Sequence, residues 1–102
     1  MSGAPSPMYE PDAVLQSLSG RGQIFADGIE PVRVSYKLVV ERREGVLFAH
    51  GSLTGPHAGL RPIWLSPDST LRLKNGRRLA ISVTDLVGDV AEFESTGAVS
   101  AL

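Results

Sequence analysis

Val32-Arg33-Val34-Ser35-Tyr36-Lys37-Leu38-Val39-Val40-Glu41 is the stretch of sequence that decides the fold. Apolar residues occupy every even position of this stretch, and all but one of the odd positions are polar. Successive side chains of a β-strand point to opposite faces of the sheet. The alternation therefore predicts a long strand with one buried face and one face in water.

Shorter segments on either side repeat this pattern and are separated by turn residues. Strands are expected at 23–26, 46–53, 70–74, 78–86 and 90–95, with a short or edge strand at 63–65 between two prolines. Short strands at regular spacing predict a mainly β fold, which we interpret as a small antiparallel barrel of about six strands. An open sheet or a small sandwich is the alternative.

A short helix is expected before the first strand. Pro11 suits a first helical position, Val14, Leu15 and Leu18 would share one face, and Gly20 suits the residue that ends a helix. We expect this helix to flank or plug the sheet. Residues 9–96 would then form a single β domain between two flexible tails, 1–8 and 97–102.

The turn at Asn75-Gly76 allows the register of its hairpin to be predicted. A three-residue loop, Lys74–Gly76, keeps the apolar side chains on one face, with Leu71 opposite Leu79. Arg72 then lies directly opposite Arg78 on the other face.

The same counting across 87–89 places Val83 opposite Phe93 and Asp85 opposite Ala91.

Composition limits the classes of function that the chain can have. It has 102 residues, a formal charge of −1 and no Cys, which excludes disulfides, cysteine-type zinc sites and a thiol nucleophile. No apolar run is long enough to cross a membrane as a helix, and the first residues do not resemble a secretory signal. We therefore expect a cytoplasmic protein, and the arginine-rich, glycine-rich composition suggests a bacterial source.

Two groups of residues are candidates for binding a ligand or a partner. Arg72, Lys74 and Arg78 form a basic face on the predicted hairpin, which would suit an anionic ligand or simply face solvent. His57, Arg61 and Trp64 lie within eight positions of one another in segment 55–64, of which 55–62 is predicted to be irregular. Trp and Arg are frequent in protein interfaces, although Trp64 is also the largest candidate for the core.

Catalytic and metal-binding residues are not indicated strongly. His50 and His57 would need a carboxylate such as Asp85 to bind a metal, and further ligands are missing, so no metal or cofactor is expected. Glu92 and Glu94 share a strand face that we expect to be in water, where the surroundings do not activate a carboxylate for acid–base catalysis. An enzyme that uses one of the histidines with a carboxylate is the weakest hypothesis.

These observations favour a small non-catalytic binding or protein-interaction module. Another protein or a second copy of the chain is favoured as its partner over a small ligand held by the segment 55–64. The alternative is a small nucleic-acid-binding barrel, although the net charge does not favour it. In that case Arg33 and Lys37 would join the three basic hairpin residues along the backbone of the nucleic acid, and Tyr36 or Trp64 would have to stack on a base.

Overall fold

Six β-strands and one helix make up the part of the chain that the computed structural model describes, residues 13–97 and 99. In chain order the elements are β1 (Ala13–Ala26), β2 (Ile29–Arg43), β3 (Val46–Thr54), α1 (His57–Trp64), β4 (Ser69–Arg72), β5 (Arg78–Val87) and β6 (Val90–Ser95). No helix within these described residues is long and apolar enough to span a membrane.

All strand pairs are antiparallel and belong to one sheet. The order of pairing is β1-β2-β3-β6-β5-β4, and β4 pairs in turn with β1 through Gln23, Ile24 and Phe25. Each strand therefore has two neighbours. The prediction of a small, mainly β domain with six antiparallel strands is confirmed.

The long alternating strand supplies one side of the core. The even residues of β2 from Val32 to Val40 are buried, and the odd residues are exposed or half-buried. Facing them are buried residues of the other strands, among them Ile24, Leu53 and Phe93. Burial of this continuous apolar face is what fixes the register of the sheet.

The predicted register of the β4–β5 hairpin is also confirmed. Leu71 lies opposite Leu79 and Arg72 opposite Arg78. The backbone N–H of Leu73 donates to the carbonyl of Arg77 at 2.8 Å. Gly76 has a φ of +88°, the left-handed conformation that such a loop requires.

The β5–β6 hairpin is predicted only in part. Val83 lies opposite Phe93 as expected, but Asp85 lies opposite Glu92 and not Ala91. The turn has two residues, since Val87 pairs with Val90, and a bulge between Val83 and Asp85 restores the register. The loop is one residue shorter than predicted, and the bulge adds one residue to β5, so the predicted pairing of Val83 with Phe93 is kept.

The predicted N-terminal helix is wrong where the structure describes it. Residues from Ala13 onward belong to β1, whereas Pro11 and Asp12 lie outside the described residues. An eight-residue helix is marginal by itself. Pairing with β2 instead gives the segment a partner strand from Ala13 to Ala26. Gly20 has no positive φ and is an ordinary strand residue.

The predicted irregular segment 55–62 and the short strand at 63–65 are also wrong, because helix α1 takes their place. Leu60 and Ile63 bury one side of the helix, which lies against β2, β5 and β6. Gly59 allows α1 to approach Val32, since a Cβ at this position would lie 3.2 Å from the Val32 methyl groups. Pro62 is accommodated within the helix.

The predicted tails fall mostly outside the described residues. The segment 1–8 and the last three residues are not described, so these predictions remain open. Val99, however, is buried against the core.

Candidate functional site

A row of polar side chains crosses four strands on the outer face of the sheet. Gln23 on β1 lies between Arg33 on β2 and Arg72 on β4, and Arg72 lies opposite Arg78 on β5. Neighbouring strands in a sheet are about 4.8 Å apart. Three arginines are thus held within a few side-chain lengths of one another.

Two further cations flank this row. Arg21 precedes Gln23 by two positions on the same face of β1, and Lys74 follows Arg72 by two positions at the start of the turn. Four of the five cations line a groove of about 520 Å³. We call the five residues Arg21, Arg33, Arg72, Lys74 and Arg78 the basic surface.

The backbones of β4 and β1 lie unusually close together beside this groove. A Cβ on Gly22 would lie 2.1 Å from the carbonyl oxygen of Arg72, so only glycine leaves room for the β4 backbone. The backbone N–H of Lys74 donates to the hydroxyl of Tyr36 at 3.0 Å. Tyr36 is buried, so this bond anchors Lys74, the cation of the turn, to the core.

The electrostatics of the basic surface differ from those of the chain as a whole. All five cations are exposed, and no acidic group among the described residues forms an ion pair with any of them. The neutral part of the groove contains hydrogen-bonding groups from Gln23, Ser35 and Thr54. The chemistry of the groove suits a ligand with several negative charges and further hydrogen-bonding groups.

The residues predicted in segment 55–64 lie elsewhere. Of the described residues that line the basic groove, none comes from α1. The ring nitrogen Nδ1 of His57 is hydrogen-bonded to the carbonyl of Gly88, which ties the start of α1 to the β5–β6 turn. Arg61 and Trp64 are exposed on the helix, and Trp64 retains 39% of its accessible surface. The alternative that Trp64 belongs to the core is therefore wrong.

A second groove, of about 640 Å³, is lined by residues of β1, β2, β3, β5 and β6. We call it the mixed-charge groove. Glu41 beside it accepts from Arg43 at 2.6 Å and lies 3.4 Å from Nε2 of His50. Arg43 also lies over the Phe48 ring, 4.3 Å from its centre.

The acidic residues of β6 line this second groove. Glu94 lies opposite His50, and Glu92 lies opposite Ser52. Both glutamates are exposed, as expected. Within the described part of the chain, no three histidine or acidic side chains are arranged to hold a metal ion.

Two members of the candidate site were missed in the sequence, and one predicted contributor lies outside it. The predicted first strand begins at Gln23, after a helix that ends at Gly20, so it leaves out Arg21, and the prediction gives Gln23 no role in binding. The signal was present, since Leu18, Gly20, Gly22 and Ile24 alternate with polar residues. Lys37 faces Ser19 and Ser52 in the mixed-charge groove and not the basic groove.

Comparison of the chain with protein-family models, curated proteins and solved structures found no match. The function is therefore inferred from the geometry of the site alone.

Proposed function

We propose that this protein is a small non-catalytic barrel module that binds the phosphate backbone of nucleic acid on its basic surface. The observation that carries this proposal is the cross-strand row of arginines with no acidic partner among the described residues. The cyclic order of strand pairing supports the barrel interpretation.

Arginine is well suited to this role. Its planar guanidinium group binds phosphate oxygens through two parallel hydrogen bonds. Directly opposed arginines such as Arg72 and Arg78 repel each other in the free protein, and a bound chain of phosphates relieves that repulsion. The net charge of −1 does not oppose binding, because the cations are gathered on one side of the sheet.

The kind of contact follows from the groove lining. Of the described residues that line the basic groove, none is aromatic, so the groove offers no platform for base stacking. The base-stacking role considered for Tyr36 is wrong, because its ring is buried and only its hydroxyl reaches Lys74. We expect binding that depends on phosphates, tolerates any sequence and weakens steeply with salt.

Fluorescence anisotropy with a short labelled DNA duplex tests this proposal. At low salt the double variant Arg33→Ala/Arg72→Ala should bind at least about tenfold more weakly than the unaltered chain. Arg43→Ala removes one cation from the mixed-charge groove and should be compared with Arg72→Ala alone; it should change the affinity less than about twofold, because Glu41 already neutralises Arg43. Absence of binding to DNA and RNA at low salt would refute the function.

An acidic protein partner is distinguished by a labelled polyglutamate peptide. If this peptide bound to the same arginines more tightly than DNA of equal charge, the partner would be an acidic protein segment. The nucleic-acid proposal would then be wrong, although the basic surface would still be the binding site.

A protein partner at α1 is a second candidate function. Trp64 and Leu65 are exposed side by side at the end of the helix, which is unusual for such large apolar residues. Arg61 lies one helical turn before them. If Trp64→Ala and Arg61→Ala left partner binding unchanged in a folded protein, this candidate would be excluded.

A further inference from the structure

Two side chains with hydroxyl groups lie beside the arginines of the basic surface. Ser35 on β2 pairs with Arg21 on β1 and with Thr54 on β3, so these residues form a second row next to Gln23 and Arg33. Ser35 and Thr54 are exposed, and both line the basic groove. We call these two residues the hydroxyl pair. They place uncharged groups that donate and accept hydrogen bonds directly next to cations.

Cations lie on both sides of the hydroxyl pair along β2. Arg33 is two residues before Ser35 on the exposed face of the strand, and Lys37 is two residues after it. These three positions span about 13 Å, because a strand rises about 3.3 Å per residue. A ligand that fits this pattern has negative charges on either side of a row of uncharged hydrogen-bonding groups.

A single-stranded nucleic acid does not fit this surface well. Unpaired bases bind to proteins mainly by stacking on aromatic side chains. The basic groove has no aromatic side chain among its described lining residues. The Phe48 ring of the mixed-charge groove already contacts Arg43 and His50, whose charged carbon and ring centre lie 4.3 Å and 5.9 Å from its centre. A duplex needs no such platform, because its bases stack on one another.

The two kinds of duplex differ in what they offer to the hydroxyl pair. Duplex RNA has a wide, shallow minor groove that displays its 2′-hydroxyl groups between two phosphate backbones. DNA has no 2′-hydroxyl group, and the minor groove of its B-form is about 6 Å wide and about 7.5 Å deep. The floor of that groove is out of reach of a serine or threonine on a broad sheet. The 2′-hydroxyl groups of RNA are at the surface and can both donate and accept hydrogen bonds.

We propose that the basic surface selects double-stranded RNA over DNA. The hydroxyl pair exchanges hydrogen bonds with 2′-hydroxyl groups of the minor groove, while Arg33 and Lys37 contact phosphates of the two backbones that border it. This inference rests on the proposed function, because it names the class of nucleic acid that binds at the same site.

Strand β6 limits the contact on one side. Val90 pairs with Thr54, and Glu92 lies two residues further along the same face, opposite Ser52. The exposed carboxylate of Glu92 repels phosphates. We therefore expect the RNA to lie over β1, β2 and the end of β3, and not over β6.

Binding experiments with duplexes of one sequence test this inference. The unaltered chain should bind an RNA duplex about tenfold more tightly than the DNA duplex, which is the effect of two additional hydrogen bonds. A duplex of 2′-fluoro RNA keeps the A-form helix but lacks the hydroxyl groups, so it should bind like DNA. Fluorescence anisotropy at low salt measures all three affinities.

Removal of the hydroxyl pair provides the second measurement. Ser35→Ala/Thr54→Val should bind the RNA duplex about tenfold more weakly than the unaltered chain and should bind the DNA duplex with nearly the same affinity. Thr84→Val is the matched control, since Thr84 is an exposed threonine of the mixed-charge groove. This control should retain the preference for RNA. Thermal denaturation should show that all variants are folded, because the altered residues are exposed.

The phosphate contact of Lys37 is tested by the salt dependence of RNA binding. Lys37→Ala should reduce the slope of log affinity against log salt concentration by about 1 for the RNA duplex. Arg43→Ala should leave this slope unchanged, because Glu41 pairs with Arg43. An unchanged slope in Lys37→Ala would contradict the contact with the second backbone.

The possible results separate this inference from the proposed function. Equal affinity for RNA and DNA duplexes, a 2′-fluoro duplex that binds as tightly as RNA, or tighter binding of single-stranded RNA would overturn the inference. A preference for RNA that survives in Ser35→Ala/Thr54→Val would also overturn it. Each of these results leaves nucleic-acid binding in place, whereas absence of binding to every duplex and single strand refutes the proposed function itself.

Discussion

The basic surface and the mixed-charge groove lie on the outer face of one sheet, yet Arg43 of the mixed-charge groove and the arginines of the basic surface are in opposite situations. In the mixed-charge groove, Arg43 is bound to Glu41 at 2.6 Å and packs over Phe48. On the basic surface, Arg72 and Arg78 face each other and have no acidic partner among the described residues.

The difference indicates which surface is available for a ligand. A cation that is paired with a carboxylate contributes modestly to stability, and it produces only a weak electrostatic potential with which to attract an anion. Opposed, unpaired cations reduce stability by some tenths of a kcal/mol and attract anions. The arrangement on the basic surface is unfavourable for folding, which is what we expect of charges retained for binding.

The largest expected effect comes from the glycines under each surface. A Cβ on Gly22 would lie 2.1 Å from the Arg72 carbonyl, and one on Gly51 would lie 2.0 Å from the Lys37 carbonyl. Both neighbours are backbone and cannot move aside cheaply. Gly22→Ala and Gly51→Ala should each lower the free energy of unfolding by about 3 kcal/mol.

Urea denaturation measures these stabilities, and DNA binding separates the two variants. Only Gly22→Ala should weaken binding by the folded protein, because it displaces Arg72. Gly97→Ala is a suitable control, since a Cβ there meets nothing within 4 Å. Equal binding by both variants would mean that the geometry of β4 does not matter to the basic surface.

A smaller effect is expected in the salt dependence of DNA binding. Each phosphate contact contributes about −0.9 to the slope of log affinity against log salt concentration on duplex DNA. Arg72→Ala should therefore reduce the slope by about 1. Arg43→Ala should leave it unchanged, and a loss of slope in that variant would place the ligand in the mixed-charge groove.

The smallest expected effect is on stability, which should change in opposite directions when one arginine is removed from each surface. Arg78→Gln should raise the free energy of unfolding by a few tenths of a kcal/mol at low salt, because it removes a like-charge pair. Arg43→Gln should lower it by at most about 1 kcal/mol, since the half-exposed ion pair is partly screened. Both differences should shrink in high salt, as thermal denaturation would show.

Local pattern was sufficient to predict part of the fold and part of the candidate site. The burial of alternate β2 residues and the pairing of Arg72 with Arg78 follow from counting along the sequence, and the structure has both. Counting succeeds there because a short loop and a continuous apolar face leave one acceptable register.

Counting along the sequence predicted the wrong secondary structure where contacts with distant segments determine it. Ala13–Gly20 is strand and not helix because the long β2 provides it with a partner. Segment 57–64 is helix because Leu60 and Ile63 pack against strands that are distant in the sequence. Neither neighbour is visible in a local pattern.

The sequence by itself determined a mainly β chain, the buried face of β2, and the arginine pair of one hairpin. Only the tertiary structure brought Arg21 and Arg33 beside that pair, since a ladder between β1 and β4 joins residues almost 50 positions apart. It also left the cations of one surface without acidic partners while neutralising Arg43 on the other. The physical reason is that side-chain alternation is a property of each strand, whereas the order in which strands pair depends on the packing of the whole core.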